Sequence, residues 1–149
     1  MADYEQYHGL VVRELAVELP DGIHIKAHDI HGIVNCFIVN EVIGLFIKHS
    51  SKRLSPWVFS FTKDNLTEIQ LLSEDTEKTY ICLVCGYDGF LTLSLNEFNQ
   101  IASRKKGDTS LNLHVKRRKR QMYIVGGREK LERSKSRGFS NDMLQAIAK

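Results

Sequence analysis

Residues 80–85, YICLVC, restrict the fold more than any other stretch. A near-continuous apolar run of this length reads as a strand buried on both faces, since successive side chains point to opposite sides of a sheet. A sheet containing it needs covering elements above and below. Helical periodicity supplies them. Tyr7, Leu10, Val11, Leu15 and Val17 or Glu18 form a stripe over residues 4–19, which Pro20, Asp21 and Gly22 end. Thr62 or Asp64 caps a second helix running to about residue 73, Asn96 caps a short one to about residue 102, and a last one covers residues 141–148.

Between the first two helices lie runs rich in β-branched and aromatic residues at 23–27, 34–39 and 42–48, with a shorter one at 57–62. Asn40 and Glu41 read as a two-residue hairpin turn. Residues 86–89 reverse the chain into a strand at 90–95, and residues 111–115 and 122–125 form a hairpin around a basic run. The order is helix, three strands, helix, strand, then additions. It places the chain in the α/β class, bordering on α+β, with a mixed sheet.

The 149 residues suit one folded unit. Residues 1–102 form the expected α/β core and residues 103–149 a basic hairpin and tail packed on the same domain, joined through residues 103–110. No apolar run approaches the roughly 20 residues that cross a bilayer. The polar, acidic start MADYEQYHG is unlike a secretory signal, and three cysteines do not make a disulfide framework. These features lead to the expectation of a reduced, cytoplasmic protein without a membrane role.

Charge is unevenly distributed. The chain sums to +3, but residues 104–137 carry 13 basic side chains against the acids Asp108, Glu129 and Glu132. That segment is therefore +10 and the remainder −7. Five of the cations are consecutive: Lys116, Arg117, Arg118, Lys119 and Arg120. A patch of this kind grips polyanions through salt-sensitive phosphate contacts, or else forms a solvated hairpin tip. The loop holding Lys52 and Arg53 offers cations and hydroxyls suited to phosphate. Trp57 behind it either stacks on a base or, more in keeping with its size, enters the core.

Pairing the strands across Asn40 and Glu41 sets Asn35 opposite Phe46, with Lys48 on the same face. Here the stretches NCFIVN, LFIKHS and YICLVC, in this order, resemble the restriction-endonuclease-like PD-(D/E)xK superfamily, with the layout closest to archaeal Holliday-junction resolvases. The resemblance covers about two-thirds of the chain by pattern. It implies a helix-strand-strand-strand-helix-strand core, an aspartate on the second strand and Glu-x-Lys on the third. Paired carboxylates there hold Mg²⁺, and the lysine orients the attacking water.

This chain departs from that pattern at the metal ligands. Asn35 stands at the aspartate position and Phe46 at the glutamate position, and Lys48 alone is retained. The expectation is a catalytically degenerate nuclease fold with no cofactor, binding nucleic acid through Lys48, Lys52, Arg53 and the five cations from Lys116 to Arg120. One alternative is an atypical nuclease in which Glu5, Glu14 or Glu41, or a dimer partner, restores a carboxylate and Mg²⁺ is required. Another is a protein-interaction module. A homodimer is implied by resemblance to the resolvases and by nothing else.

Cys82 and Cys85 have the spacing of half a zinc site, but a strand sends them to opposite faces, so they and Cys36 read as core. His24, His28 and His31 with Asp29 could bind a transition metal, or lie separately on the surface.

Overall fold

The structure is a computed structural model and describes residues 3–28, 34–102, 111–126, 129–130, 135 and 137–148. Helix α1 (Asp3–Glu18) is followed by β1 (Ile25–Ala27), β2 (Cys36–Val39) and β3 (Ile43–Ser50). Then come β4 (Trp57–Phe61), α2 (Lys63–Glu74) and β5 (Lys78–Cys85). A single 3₁₀ turn (Gly86–Asp88) leads into β6 (Phe90–Ser94) and α3 (Leu95–Ile101). The chain closes with β7 (Leu111–Arg118), β8 (Gln121–Gly126), β9 (Glu129–Lys130) and α4 (Asn141–Ala148). The linker expected at residues 103–110 lies outside the described residues.

The fold is mixed α/β. Strands β1, β2 and β3 form an antiparallel meander, β5 runs parallel to β3, and β6 returns antiparallel, giving the order β1-β2-β3-β5-β6. The expected three strands after the first helix are all present. β5 sits inside this sheet and is buried from Thr79 to Cys85, as its apolar run demands.

Two side-chain clusters cover the sheet. Tyr7, Val11 and Leu15 of α1 and Met143 and Ile147 of α4 pack on one face with Val39, Ile47, Tyr80 and Cys82. On the other face, Cys36, Phe46, Ile81 and Leu83 meet Ile69 and Leu72 of α2 and Phe98 and Ile101 of α3. Trp57, Phe59 and Phe61 of β4 join that second cluster, together with Leu111, Leu113 and Val115 of β7 and Ile124 of β8.

The aromatic run at residues 57–62 is a strand, as expected, but it lies outside the first sheet. β4 leaves the first sheet and pairs with β7, opening a second, antiparallel sheet β4-β7-β8-β9. Its alternating burial marks a sheet with one face on the core and one in water. The second half of the chain therefore shares both clusters with the first.

Local chemistry sets the helix starts. Thr62 caps α2 through a reciprocal capping box with Asn65. α3 starts two residues earlier than expected: Ser94, not Asn96, is the N-cap, because Ser94 and Glu97 satisfy each other's backbone amides.

The β2–β3 turn is one residue longer than expected. Asn40 and Glu41 both take the left-handed conformation, and the Val42 amide bonds back to the Val39 carbonyl. Yet Val39 pairs with Ile43 in the ladder, leaving Val42 as an extra residue. Its carbonyl accepts instead from the Glu77 and Lys78 amides at the start of β5. The added residue moves the whole hairpin by one position.

Candidate functional site

That shift alters the expected constellation. Phe46 opposes Cys36, and Asn35 lies beside Ile47, whose amide bonds to the Asn35 carbonyl. Phe46 is 0% exposed and packs against Phe61, so a phenyl ring fills the place where the resemblance puts a metal-binding carboxylate. Asn35 precedes β2 and escapes strict alternation. Its side-chain amide donates to Glu68 Oε2 at 3.3 Å, on the α2 side of the sheet.

Lys48 is on that side too. Its ammonium donates to Asn65 Oδ1 at 2.8 Å and lies 5.9 Å from the Phe61 ring centroid. Asn65 Oδ1 also accepts the Thr62 amide, so one oxygen serves both the helix cap and the lysine. Partial burial pulls the Lys48 pKa below its usual value, and the nearby Glu68 carboxylate opposes that shift. Glu68 is only 5% exposed. Beside it, burial and then the Glu68 charge push the Cys36 thiol up to about 12.

Sequence reasoning missed Glu68. A signal was present: Asn65, Glu68, Ile69 and Leu72 form the buried stripe of α2, and a charged residue on such a stripe is exceptional. The carboxylates weighed from sequence lie elsewhere. Glu5 is exposed and Glu14 accepts from Arg13, both on α1, which covers the opposite face of the sheet. Glu41 is exposed at the hairpin tip, separated from Lys48 by the length of β3, about 20 Å.

A hard divalent cation wants several oxygen ligands. Among the described residues the carboxylate coupled to Lys48 is Glu68, which already accepts from the Asn35 amide, with the ammonium close by. These residues do not fit Mg²⁺. Among the described residues no group of three or more His, Cys, Asp or Glu is arranged to hold a metal ion. Cys82 and Cys85 belong to the clusters on opposite faces of the sheet. His24 is exposed, and His28 bonds to Asp75 at 2.8 Å. Asp29 and His31 lie outside the described residues.

The remaining candidates gather beyond the carboxyl ends of β3 and β5, where Ser50 is paired with Cys85. Loop 51–56 leaves β3 there and runs between the turn Gly86–Asp88 and the end of β7. The Ser55 hydroxyl accepts the Arg117 amide at 2.9 Å. The Lys52 carbonyl accepts the Trp57 indole N–H at 2.8 Å, which, with the indole buried, makes Trp57 a core anchor for this loop. Lys52 and Arg53 are exposed, as are all five residues of the basic run.

That run ends β7 and turns at Lys119 and Arg120, which join Gln121 and Arg137 around a basic hollow of about 530 Å³. Asp88 organises the junction, pairing with Arg117 at 2.7 Å and Arg137 at 3.6 Å. Cations from three separate segments thus share one end of the molecule. Arg104, Lys105, Lys106, Arg128 and Arg133 lie outside the described residues.

Among the described residues no helix is long and apolar enough to cross a membrane. No family model matches the chain, and neither a curated protein nor a solved structure matches it.

Proposed function

We infer that the chain is a nuclease-fold protein with a degenerate catalytic centre that binds nucleic acid through its basic end. The observation that carries this reading is that loop 51–56 with Lys52 and Arg53, the end of β7 with the run Lys116 to Arg120, and Arg137 all border the carboxyl ends of two adjacent parallel strands. Open α/β sheets bind ligands at that edge, because the loops there diverge. The restriction-endonuclease-like assignment draws support from the meander β1-β2-β3 followed by a parallel β5 across α2. The loss of catalysis draws support from Phe46 in the core and from the absence, among the described residues, of a metal-holding group of carboxylates.

Fluorescence anisotropy against single-stranded, duplex and four-way-junction nucleic acid tests the reading. Binding should weaken steeply between about 50 and about 200 mM salt, since each neutralised phosphate releases counterions. Products run on a gel, with and without Mn²⁺, should show intact strands. Absence of binding to every substrate refutes the reading. Metal-dependent cleavage would favour the alternative nuclease, with Glu68 as the carboxylate to mutate first. Retention of a protein partner at high salt, without nucleic-acid binding, would favour an interaction module.

A further inference from the structure

Tyr87 is 89% exposed, in the middle of the turn that ends β5. An exposed tyrosine alone is ordinary. This one stands on a turn held from two sides, beside segments that carry cations. The turn closes through the Cys85 amide to the Gly89 carbonyl at 2.8 Å, with Gly86 and Gly89 both at positive φ. Gly86 lies so close to loop 51–56 that a Cβ on it would come within 2.7 Å of the Lys52 carbonyl oxygen. On the other side, Asp88 is clamped by Arg117 and Arg137. The backbone carrying the ring is therefore pinned on both flanks.

Behind Tyr87, the Tyr7 ring lies 6.5 Å away and is itself stacked on His49 at 4.7 Å. Loop 51–56, packed against the same turn, carries Arg53 and the 69% exposed Leu54. An exposed aromatic ring with arginines on the adjoining segments suits unpaired strands. Bases stack on the ring whatever their identity, while the cations follow the phosphates. A duplex hides its base faces and can use only the cations.

We propose that Tyr87 is a base-stacking platform and that the ligand class is single-stranded nucleic acid, or the unpaired segment of a branched one. This rests on the nucleic-acid reading above and assigns its substrate class. DNA and RNA strands share the chemistry invoked, so both enter the test.

The test uses fluorescein-labelled oligo-dT and oligo-U of about 20 nucleotides, with a duplex of the same length, titrated by anisotropy at fixed salt. Removing a stacking ring should cost about 5- to 100-fold in affinity. Tyr87→Ala should therefore weaken single-strand binding by that factor and leave duplex binding within about twofold, while Tyr87→Phe restores it. Reversal of Arg53, Lys119 and Arg120 to glutamate should weaken both ligands.

If Tyr87→Ala changes nothing, or weakens both ligands equally, the platform is refuted. If the charge reversals still act in that case, the nucleic-acid reading survives it. If the charge reversals change nothing, or neither strand nor duplex binds the parent protein, both fall.

Discussion

Acidification should destabilise this protein through one buried histidine. His8 lies on α1, 8% exposed, with its ring edge-on to Phe37 at 5.6 Å. Burial, and then repulsion from His49, lower its pKa from 6.5 to about 4. The unfolded chain therefore binds a proton at His8 below about pH 6.5, while the folded chain refuses it until about pH 4. Stability must fall as pH drops through that window. The loss amounts to about 2 kcal/mol at pH 5 and saturates near 3 kcal/mol below pH 4.

His8→Leu removes the titrating group and keeps an apolar contact for Phe37. Urea unfolding at pH 7 and pH 5 gives the two slopes to compare. The parent should lose about 2 kcal/mol more than the variant over this interval, whatever offset the substitution introduces at pH 7. Comparing the two slopes removes whatever pH dependence the two proteins share. Parallel losses would refute the argument and show that His8 is accommodated as a cation.

Four other substitutions or probes test the packing and the site. Phe46→Ala should lower stability by about 3–5 kcal/mol in urea unfolding, because it empties a fully buried position against Phe61. Gly44→Ala should cost about 1–3 kcal/mol by the same assay, since its Cβ would lie 2.8 Å from Thr76 Oγ1 and 2.9 Å from Leu72 Cγ. Asn65→Ala should lower the thermal midpoint by an amount equivalent to about 1 kcal/mol, through loss of the α2 capping box and of the acceptor for Lys48. Cys36, Cys82 and Cys85 are buried with thiols shifted upward, so a thiol reagent at about pH 8 should label none quickly in the native protein and all three after denaturation. One fast-reacting native thiol would contradict that packing.

Much of the architecture was legible along the chain. The buried run at 80–85, the amphipathic stripe of α1, the Thr62 cap and the β7–β8 hairpin are properties of short windows, where side-chain period and capping chemistry act locally. The Ser94–Glu97 capping box was legible as well, and the choice of Asn96 overlooked its reciprocal partner. The basic run was visible as composition. Its neighbours in space were not, because Lys52, Arg137 and Asp88 come from distant segments.

Short-range patterns along the chain were enough to set the alternation of helices and strands, the double-sided burial of β5 and the excess of positive charge in one segment. Four features came only from long-range packing. Val42 became an extra residue because its carbonyl turned to β5, and this moved Asn35 away from Phe46. β4 joined the C-terminal strands because Trp57, Phe59 and Phe61 needed an apolar layer that β7 and β8 supply from 50 or more residues later in the chain. Glu68 came to lie beside Lys48, and Tyr87 was left in water, by the way separate elements meet. Local propensity cannot specify such meetings, since hydrogen-bond register and burial are set by which surfaces close on one another.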